Sequence, residues 1–460
     1  MRKKKHIHFI AIGGAAMHNL AIALHKKNYL ITGSDDEIFD PSKSRLSKYG
    51  LLPKKYGWFP EKITPEIDAI ILGMHAKNDN PELKKAIELG LNIYSYPEYL
   101  YLQSKNKKRV VIAGSHGKTT ITSMVLHVLS ENNMEVNYMV GSQLKGFDTM
   151  VKLEDDLDTI ILEGDEYLTS AIDLRPKFLW YKPHLTVISG IAWDHMNKFP
   201  DKESYYKQFV KYVKTIEKNG TLIYNSEDKK LTEIVTNAPN DIKKIPYKTP
   251  AYEKDENKFY LYYKDKKIPL NIFGAHNMQN TEAARLICNE LGITDDAFYA
   301  SIMSFKGADK RLETIFSNQQ TTIIKDFAHA PSKVMASLNA VKEKFQNKKV
   351  IAVLELHTYS SLNKKFLAEY KNKLKNADEA IVFYSPKAVS LKGLDPIPPE
   401  LIKKEFNRSD LLVFNEPKKL HQYLYDKNLD ESVLLLMSSG NYGGLDIQKL
   451  TKNAEVKIKN

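Results

Sequence analysis

The residues with the clearest chemical purpose lie at 114–120, where Lys118 and Thr119 follow a turn that is bracketed by glycines. A β-branched run at 110–112 precedes the turn, and an apolar helical pattern follows it. Glycines let backbone N–H groups close around phosphate oxygens, and the helix N-terminus adds a positive dipole end. Lys118 can then reach the β- and γ-phosphates, and the Thr119 hydroxyl can ligate Mg²⁺. The sequence therefore predicts a loop that holds a triphosphate.

This loop is shorter than the common form, which would have a glycine where the chain has Ile112. An ordinary glycine turn before a helix is the alternative. The order of strand, Gly-x-x-Gly-Lys-Thr and helix is the order that phosphate binding needs, so we favour the phosphate loop. The residues of the predicted loop are Gly114, Ser115, His116, Gly117, Lys118, Thr119 and Thr120.

The composition indicates a multidomain globular protein with anionic ligands. The chain has 460 residues, of which 42% are hydrophobic and 27% charged, and its net charge is +12. We expect no membrane span, because no apolar run approaches about 18 residues. We also expect no nucleic-acid partner, because no arginine-rich stripe or aromatic RNA-binding motif is seen. The single cysteine, Cys288, favours a reducing, cytoplasmic location.

Alternating strand and helix patterns divide the chain into three blocks. They predict an α/β fold of three domains, 1–106, 107–314 and 315–460, each built on a mainly parallel sheet. Within the second block, the polar, proline-interrupted segment 225–257 is predicted to be irregular with one short helix. The segment 259–272 is predicted to form a β-hairpin.

A second glycine turn, Gly13-Gly14, also follows a strand and opens a helix, and Asp35 comes 22 residues after Gly13. This arrangement is similar to a dinucleotide fingerprint, in which an acidic residue holds a ribose. The match is imperfect, because the three glycine positions read Ala11, Gly13 and Ala16. A mere tight turn is an equal alternative. With the loop at Gly114, the chain is predicted to hold two phosphorylated ligands.

Acidic and histidine side chains follow two further strands. Glu163 ends an apolar strand in the block of the phosphate loop, where a carboxylate suits Mg²⁺, although a solvated acidic turn is the alternative. His195 stands beside Asp194 after another strand. It could ligate a metal, but taken alone a packed histidine is favoured.

Three later motifs carry polar or charged side chains. The turn 274–280 carries amides that can contact a base edge or simply cap a helix. Arg311 follows a glycine turn and could reach phosphates across a domain cleft. Asp326 ends the first strand of the third block.

In this order the motifs resemble those of the Mur ligase family, the ATP-dependent amide-forming enzymes of peptidoglycan assembly. The resemblance covers essentially the whole chain. It implies a Rossmann-like UDP-binding domain, a central P-loop ATPase domain and a Rossmann-like C-terminal domain, with ATP and Mg²⁺ as cofactors. The implied catalytic residues are Lys118, Glu163, His195 and Arg311, and the implied metal ligands are Thr119, Glu163 and His195. The implied ATP contacts beyond the loop are His276, Asn277, Asn280, Arg311 and Asp326.

The resemblance is strongest to the branch that acts on UDP-N-acetylmuramate. Several other branches carry a carbamylated lysine where this chain has Val210. In the similar branch the N-terminal motif holds the UDP part of the substrate. The implied UDP-sugar residues are Gly13, Gly14, Ala15, Ala16, Met17, Ser34, Asp35 and His75.

Two acceptors stay open within that branch. Ligases that add L-alanine usually have His-Arg-Tyr-Thr-Arg where residues 357–361 read His-Thr-Tyr-Ser-Ser, so both arginines are absent. They usually have His-His-Pro-Thr-Glu where residues 329–333 read His-Ala-Pro-Ser-Lys. The sequence of segment 437–444 resembles the corresponding motif of ligases that add a recycled tripeptide. We therefore expect L-alanyl-γ-D-glutamyl-meso-diaminopimelate as the acceptor, with L-alanine as the alternative. His329 and His357 are the candidates on the acceptor side.

The expected activity is thus ligation of UDP-N-acetylmuramate to a tripeptide through an acyl phosphate, in peptidoglycan recycling. Ligation of L-alanine in peptidoglycan biosynthesis is the alternative. Two other classes stay open. A nucleotide-sugar dehydrogenase would use the Gly13 loop for NAD but would leave Lys118 without a role. A regulatory protein that only senses UDP-muramyl ligands would bind them without ATP turnover.

Overall fold

The computed structural model describes residues 4–74, 76–143, 146–170, 172–256 and 258–456. The chain divides into two compact units. The first comprises Met1–Ile191, Tyr206–Tyr247 and Leu286–Ile293, and the second comprises Ala192–Tyr205, Lys248–Arg285 and Thr294–Asn460. Helices alternate with mainly parallel sheets in both units, which confirms the predicted α/β class. The domain boundaries near 106 and 314 stay a prediction.

A four-stranded parallel sheet occupies the N-terminal part of the first unit, in the order β2-β1-β3-β4. Its strands are β1 (His6–Ile10), β2 (Leu30–Ser34), β3 (Ala69–Leu72) and β4 (Ile93–Ser95). The helices that connect and follow them are α1 (Ala15–Lys26), α2 (Ser42–Lys48), α3 (Pro81–Glu88) and α4 (Tyr96–Ser104). Because β1 is central, the turn at Gly13 emerges at the middle of the sheet's carboxyl edge, where such sheets bind ligands.

A seven-stranded sheet forms the rest of the first unit, in the order β11-β10-β9-β5-β8-β6-β7. Its strands are β5 (Lys108–Ala113), β6 (Asn137–Met139), β7 (Val151–Lys152), β8 (Thr159–Gly164), β9 (Leu185–Ile188), β10 (Thr221–Asn225) and β11 (Lys243–Tyr247). Helix α5 (Lys118–Glu131) follows β5; α6 (Lys202–Val213) and α7 (Lys229–Thr236) come later. Ala113 pairs with Gly164 on one side and with Ile188 on the other, so three strands end side by side.

The centre of that sheet is apolar on both faces. Val110, Val111 and Ile112 of β5 are fully buried. Burying each such side chain stabilises the fold by about 1.5–3 kcal/mol, before conformational entropy is subtracted. This rigid strand fixes the start of the phosphate loop that follows it.

The second unit contains a three-stranded antiparallel sheet and a six-stranded mixed sheet in the order β15-β16-β20-β17-β18-β19. The strands are β12 (Tyr252–Asp255), β13 (Lys258–Tyr263), β14 (Lys266–Leu270), β15 (Glu313–Ser317), β16 (Thr321–Asp326), β17 (Lys349–Leu356), β18 (Glu379–Tyr384), β19 (Leu412–Phe414) and β20 (Ser432–Met437). The remaining helices are α8 (Ala275–Glu290), α9 (Asp295–Ile302), α10 (Pro331–Lys344), α11 (Lys364–Leu367), α12 (Pro386–Leu391), α13 (Pro399–Phe406), α14 (Pro417–Asp426) and α15 (Ile447–Val456).

The predicted hairpin at 259–272 is confirmed by β13 and β14. The prediction that 225–257 is irregular apart from one helix is wrong, because β11 and β12 lie there. In the sequence, Pro246 argues against a strand at this position. Strand β11 nevertheless forms, because it lies at the edge of the sheet and pairs with β10. A proline, which lacks an N–H donor, is tolerated in an edge strand.

Among the described residues, no helix is both long and apolar enough to cross a membrane. Cys288 is buried on α8, and burial raises the pKa of its thiol. The thiol is therefore protonated and unreactive at neutral pH.

Candidate functional site

The phosphate loop connects β5 to α5 and is held open by two glycines in the left-handed region. Gly114 has φ 124° and Gly117 has φ 78°. A Cβ atom on Gly114 would come within 2.9 Å of the backbone nitrogen of Ser189. This steric conflict and the positive φ both require glycine at position 114. Ser115 N donates to Gly190 O at 2.9 Å, and the Ser189 hydroxyl donates to His116 O. The loop is thus attached to the segment that follows β9.

Lys118 is held inside this loop by two oxygens. Its Nζ donates to Gly114 O at 2.6 Å and to Glu166 Oε2 at 2.5 Å. Burial lowers the pKa of Lys118, but the carboxylates of Glu166 and Asp165 outweigh burial and raise it overall. Lys118 therefore carries a full positive charge where the phosphates are predicted to bind. The motif predicted the cation but not its partner Glu166.

Thr119 and Glu163 come together as predicted. The Thr119 hydroxyl donates to Glu163 Oε1 at 2.9 Å, and Gly141 N donates to Glu163 Oε2 at 2.8 Å. A hydroxyl beside a carboxylate is an oxygen donor set that suits Mg²⁺. These residues fit the cation that the family resemblance implies.

The N-terminal turn is closed by its own carboxylate. Gly13 N donates to Asp35 Oδ2 at 2.7 Å, and Asp36 N donates to Asp35 Oδ1 at 3.0 Å. Burial, aided by the neighbouring Asp36, raises the pKa of Asp35 to about 6. The buried Ser34 Oγ has no hydrogen-bond partner among the described residues. An unsatisfied hydroxyl and a carboxyl group at the end of β2 are suited to bind a ligand's hydroxyl groups.

The UDP-sugar role of the remaining predicted residues stays a prediction. Ala15, Ala16 and Met17 form the first turn of α1, directly after Gly14. His75 lies outside the described residues.

The predicted adenine residues open α8 in the second unit. Asn277 Nδ2 donates to Phe273 O at 2.9 Å, and Asn280 Nδ2 donates to Asn277 Oδ1 at 3.4 Å. Burial lowers the pKa of His276, and the Asp326 carboxylate opposes this effect. The two asparagines thus bond to the segment before α8 and to each other. Neither of these bonds caps a backbone N–H, and the base contact stays a prediction.

Asp326 orients the segment that carries Arg311. Its Oδ1 accepts from Leu312 N at 3.1 Å, and its Oδ2 accepts from the Ser337 hydroxyl. The guanidinium of Arg311 lies 4.6 Å from the centre of the Phe327 ring. Ser337, on α10, is a residue that the sequence analysis missed, because nothing in its local pattern points to Asp326.

A second polar cluster surrounds Asp194 in the second unit. Asp194 Oδ1 accepts from His195 N at 2.7 Å, and Oδ2 lies 3.3 Å from Lys333 Nζ. Burial raises the pKa of Asp194, but Lys333, His195 and His329 outweigh it and lower the value overall. Burial and Lys333 lower the pKa of His329 to about 4, so this imidazole is neutral at physiological pH.

The acceptor-side candidate His357 lies beside a buried carboxylate at the end of β17. His357 Nδ1 is 3.6 Å from Glu355 Oε1, and Tyr442 N donates to Glu355 Oε2 at 2.9 Å. The Ser438 hydroxyl also donates to Glu355. Burial raises the pKa of Glu355, but these partners outweigh it and lower the value. Glu355 and Ser438 were not among the predicted site residues.

The structure therefore brings Lys118, Thr119 and Glu163 together in the first unit. His195 belongs to the second unit and is described there with Asp194 and Lys333. The roles of these residues in catalysis and metal binding stay predictions.

Three family models match the chain in succession. Residues 6–108 match the model described as "Mur ligase family, catalytic domain", residues 112–288 the Mur ligase middle domain, and residues 310–440 "Mur ligase, glutamate ligase domain". Together the three models span nearly the whole length of the chain.

A curated relative, the UDP-N-acetylmuramate–L-alanine ligase of Clostridium kluyveri, is 30% identical over 386 residues, which are 80% of this chain and 82% of the relative. Two solved structures share the fold over almost the full length. A murein peptide ligase of Psychrobacter arcticus has a TM-score of 0.69 at 20% identity and covers 98% of this chain and 99% of its own. The UDP-N-acetylmuramate-alanine ligase of Thermotoga maritima has a TM-score of 0.70 at 18% identity and covers 99% of both chains.

Proposed function

The chain belongs to the Mur ligase family, and from this premise we propose that it is an ATP-dependent ligase that joins UDP-N-acetylmuramate to the amine of an amino acid or peptide. The observation that carries the proposal is the buried phosphate loop, in which Lys118 is charged and lies beside the Thr119–Glu163 pair. A redox enzyme or a sensor of UDP-muramyl ligands would have no use for this arrangement.

The proposed reaction has two steps. A carboxylate oxygen of UDP-N-acetylmuramate attacks the γ-phosphorus of ATP, and ADP leaves with the electrons of the broken P–O bond. The acceptor's free amine then attacks the acyl carbon, and inorganic phosphate leaves from the tetrahedral intermediate as the amine loses a proton. Catalysis of this kind depends mainly on positioning and on neutralising phosphoryl charge. Lys118 supplies that charge in the first unit.

Thr119 and Glu163 are the residues that we propose to hold Mg²⁺. The cation would offset the negative charge of the phosphates during the transfer. His195 as a metal ligand, and His276, Asn277, Asn280, Arg311 and Asp326 as nucleotide contacts, are proposals that rest on the family motifs.

For the acceptor, the curated relatives favour L-alanine over the tripeptide that the sequence motifs led us to expect. The relatives compared, at 27–31% identity, are named as UDP-N-acetylmuramate–L-alanine ligases. L-Alanine is therefore the acceptor with the broader support.

One structural observation favours the tripeptide as a second candidate. Thr358 and Ser361 stand where alanine ligases usually have arginines, and the two hydroxyls bond to each other at 3.0 Å in a closed turn. Ser361 is fully buried, and neither of the two positions holds a cationic side chain. A free amino acid presents a carboxylate next to its reacting amine, whereas in a peptide that group is an uncharged amide. The loss of two cations is consistent with a peptide acceptor.

A phosphate-release assay tests both levels of the proposal. The protein is incubated with ATP, Mg²⁺ and UDP-N-acetylmuramate, and separately with L-alanine, L-alanyl-γ-D-glutamate or the tripeptide. We expect phosphate release only when UDP-N-acetylmuramate and an acceptor are both present. Turnover with L-alanine alone excludes the tripeptide assignment, and turnover with the tripeptide alone excludes L-alanine. Binding of UDP-N-acetylmuramate without ATP turnover under any condition would contradict the ligase proposal.

A further inference from the structure

The turn that carries His195 is conformationally demanding. His195 has φ 57°, in the left-handed region that non-glycine residues adopt at a cost. Lys198 N and Phe199 N both donate to His195 O, at 2.8 and 3.0 Å, and fix the carbonyl side of the turn. The N–H side is fixed by the Asp194 carboxylate, which accepts from His195 N at 2.7 Å. The orientation of His195 therefore depends on a buried carboxylate.

A buried carboxylate needs a counter-charge, and Lys333 supplies it. The side chain of Asp194 is 7% exposed, and the Lys333 ammonium lies 3.3 Å from Oδ2. The two residues are 139 positions apart in the chain. An isolated carboxylate in this place would carry a large desolvation penalty and would protonate or turn to solvent.

Lys333 is in an electrostatically unfavourable place for its own helix. It is the third residue of α10, whose first turn contains no acidic residue. A cation in the first turn opposes the helix dipole and is unfavourable there, whereas a glutamate is favoured. The contact with Asp194 is the feature of the described structure that offsets this cost.

Two further contacts, made by Ser360 and Phe366, hold the same turn. The Ser360 hydroxyl accepts from Met196 N at 2.9 Å, and the Trp193 ring packs edge-on against Phe366 at 5.1 Å. Together with Lys333 they hold the turn on both of its flanks, so it has a defined geometry before any ligand binds.

We propose that Lys333 is a positioning residue, which neutralises Asp194 so that this carboxylate can lock the backbone of His195. The inference rests on the proposed ligase function, in which His195 is a predicted metal ligand. In this role Lys333 acts through Asp194 and not directly on a reacting atom. Its loss should leave the Asp194 carboxylate uncompensated, so that the turn loosens and His195 leaves its working orientation.

The first test needs no substrate. Hydrogen exchange is measured on the full chain for wild type, Lys333→Met and Lys333→Arg. We expect Lys333→Met to accelerate exchange in peptides that cover 192–199 by about tenfold, with no change in the four-stranded sheet. Lys333→Arg should restore protection, since arginine also neutralises a carboxylate. Lys342→Met is the matched control, because Lys342 lies on the same helix in an exposed pair with Asp378. Unchanged exchange in 192–199 would overturn the proposal.

The second test separates positioning from folding. Outer partners of metal ligands typically contribute about 10- to 100-fold to activity or metal affinity. We expect Lys333→Met to lower kcat by such a factor, to weaken Mn²⁺ binding to the protein in parallel, and to change KM for UDP-N-acetylmuramate by less than about twofold. The double variant Lys333→Met/Asp194→Asn should recover protection of 192–199, because it leaves no unpaired buried charge.

The outcomes distinguish the two proposals. A wild-type protein with no ligase activity contradicts the proposed function, while the exchange and double-variant results still test Lys333. An active wild type whose Lys333→Met variant has normal kcat and Mn²⁺ affinity overturns the positioning role. A Lys333→Met variant with lower kcat, higher KM for every substrate and lower thermal stability would also overturn the positioning role, because these changes together indicate a general folding defect.

Discussion

The two glycine turns of the first unit have the same topology but differ in the charge of the side chain that lies in or beside the turn. Each follows an interior strand of a mainly parallel sheet and opens a helix, α1 after Gly14 and α5 after Gly117. The turn at Gly117 brings its own cation, Lys118, which pairs with Glu166. The turn at Gly13 brings no cation, and its N–H group is held by Asp35.

This difference indicates what each turn can bind. A charged lysine beside a hydroxyl–carboxylate pair suits the triphosphate of ATP with its cation. A carboxyl group and the unsatisfied Ser34 hydroxyl suit the hydroxyl groups of a nucleotide sugar. A glycine turn after a strand therefore does not indicate the ligand by itself. The charge of the residues that close the turn is needed as well.

Removing the cation of the second turn should have the largest effect. We expect Lys118→Ala to lower kcat by about 10³-fold or more, because the transferred phosphoryl group loses its principal positive partner in this loop. Steady-state phosphate release measures the loss. Lys230→Ala is a suitable control, since Lys230 pairs with Glu233 on the exposed face of α7, outside the loop. A Lys118→Ala variant with a normal rate would remove the distinction between the two turns.

Much of this arrangement could be predicted from the sequence, and the reason is locality. The strand, loop and helix around Lys118 are contiguous, so residue spacing alone determines their geometry. Glu163 was also predictable, because parallel strands end at one edge and Ala113 pairs with Gly164. The partners Glu166, Ser337 and Lys333 were not assigned, because each meets its target only after the chain has folded.

The same limit explains the errors in the fold. Strand β11 has the sequence Lys-Lys-Ile-Pro-Tyr, which lacks the apolar alternation of a strand and contains a proline. Its pairing with β10 decides its structure, and tertiary context overrides local propensity there. Strand β15 was missed for a related reason: its residues are exposed or half-buried, and it pairs antiparallel at an edge.

The next prediction concerns the partner of Lys118. Glu166→Gln should lower the free energy of unfolding by about 2–3 kcal/mol, because it leaves the Lys118 ammonium without its nearest counter-charge. The side chains of Lys118 and Glu166 are 14% and 1% exposed. Urea denaturation measures the change, and saturating ATP should recover part of it by supplying phosphate charge.

Glu88→Gln provides the control for that measurement. Glu88 makes the same kind of pair with Lys85 on the exposed face of α3, where such pairs contribute about 0–1 kcal/mol. Equal effects of Glu166→Gln and Glu88→Gln would show that the pair in the loop is no stronger than a surface pair. The contrast in charge between the two turns would then be much weaker.

The smallest effect is expected at the turn that lacks a cation. The pKa of Asp35 is raised from 3.8 to about 6, so the native state retains a proton that the unfolded chain releases between about pH 4 and pH 6. The wild-type free energy of unfolding should therefore fall as pH rises through this window. At pH 8 the ionised carboxylate costs up to about 3 kcal/mol. Asp35→Asn should recover about 1–2 kcal/mol of it, since asparagine forms a weaker hydrogen bond with Gly13 N–H. At pH 4 the two proteins should be equally stable. Urea denaturation across this pH range checks the sign. An Asp35→Asn variant that is destabilised at pH 8 would contradict the prediction, because it would mean that the charged carboxylate stabilises the turn.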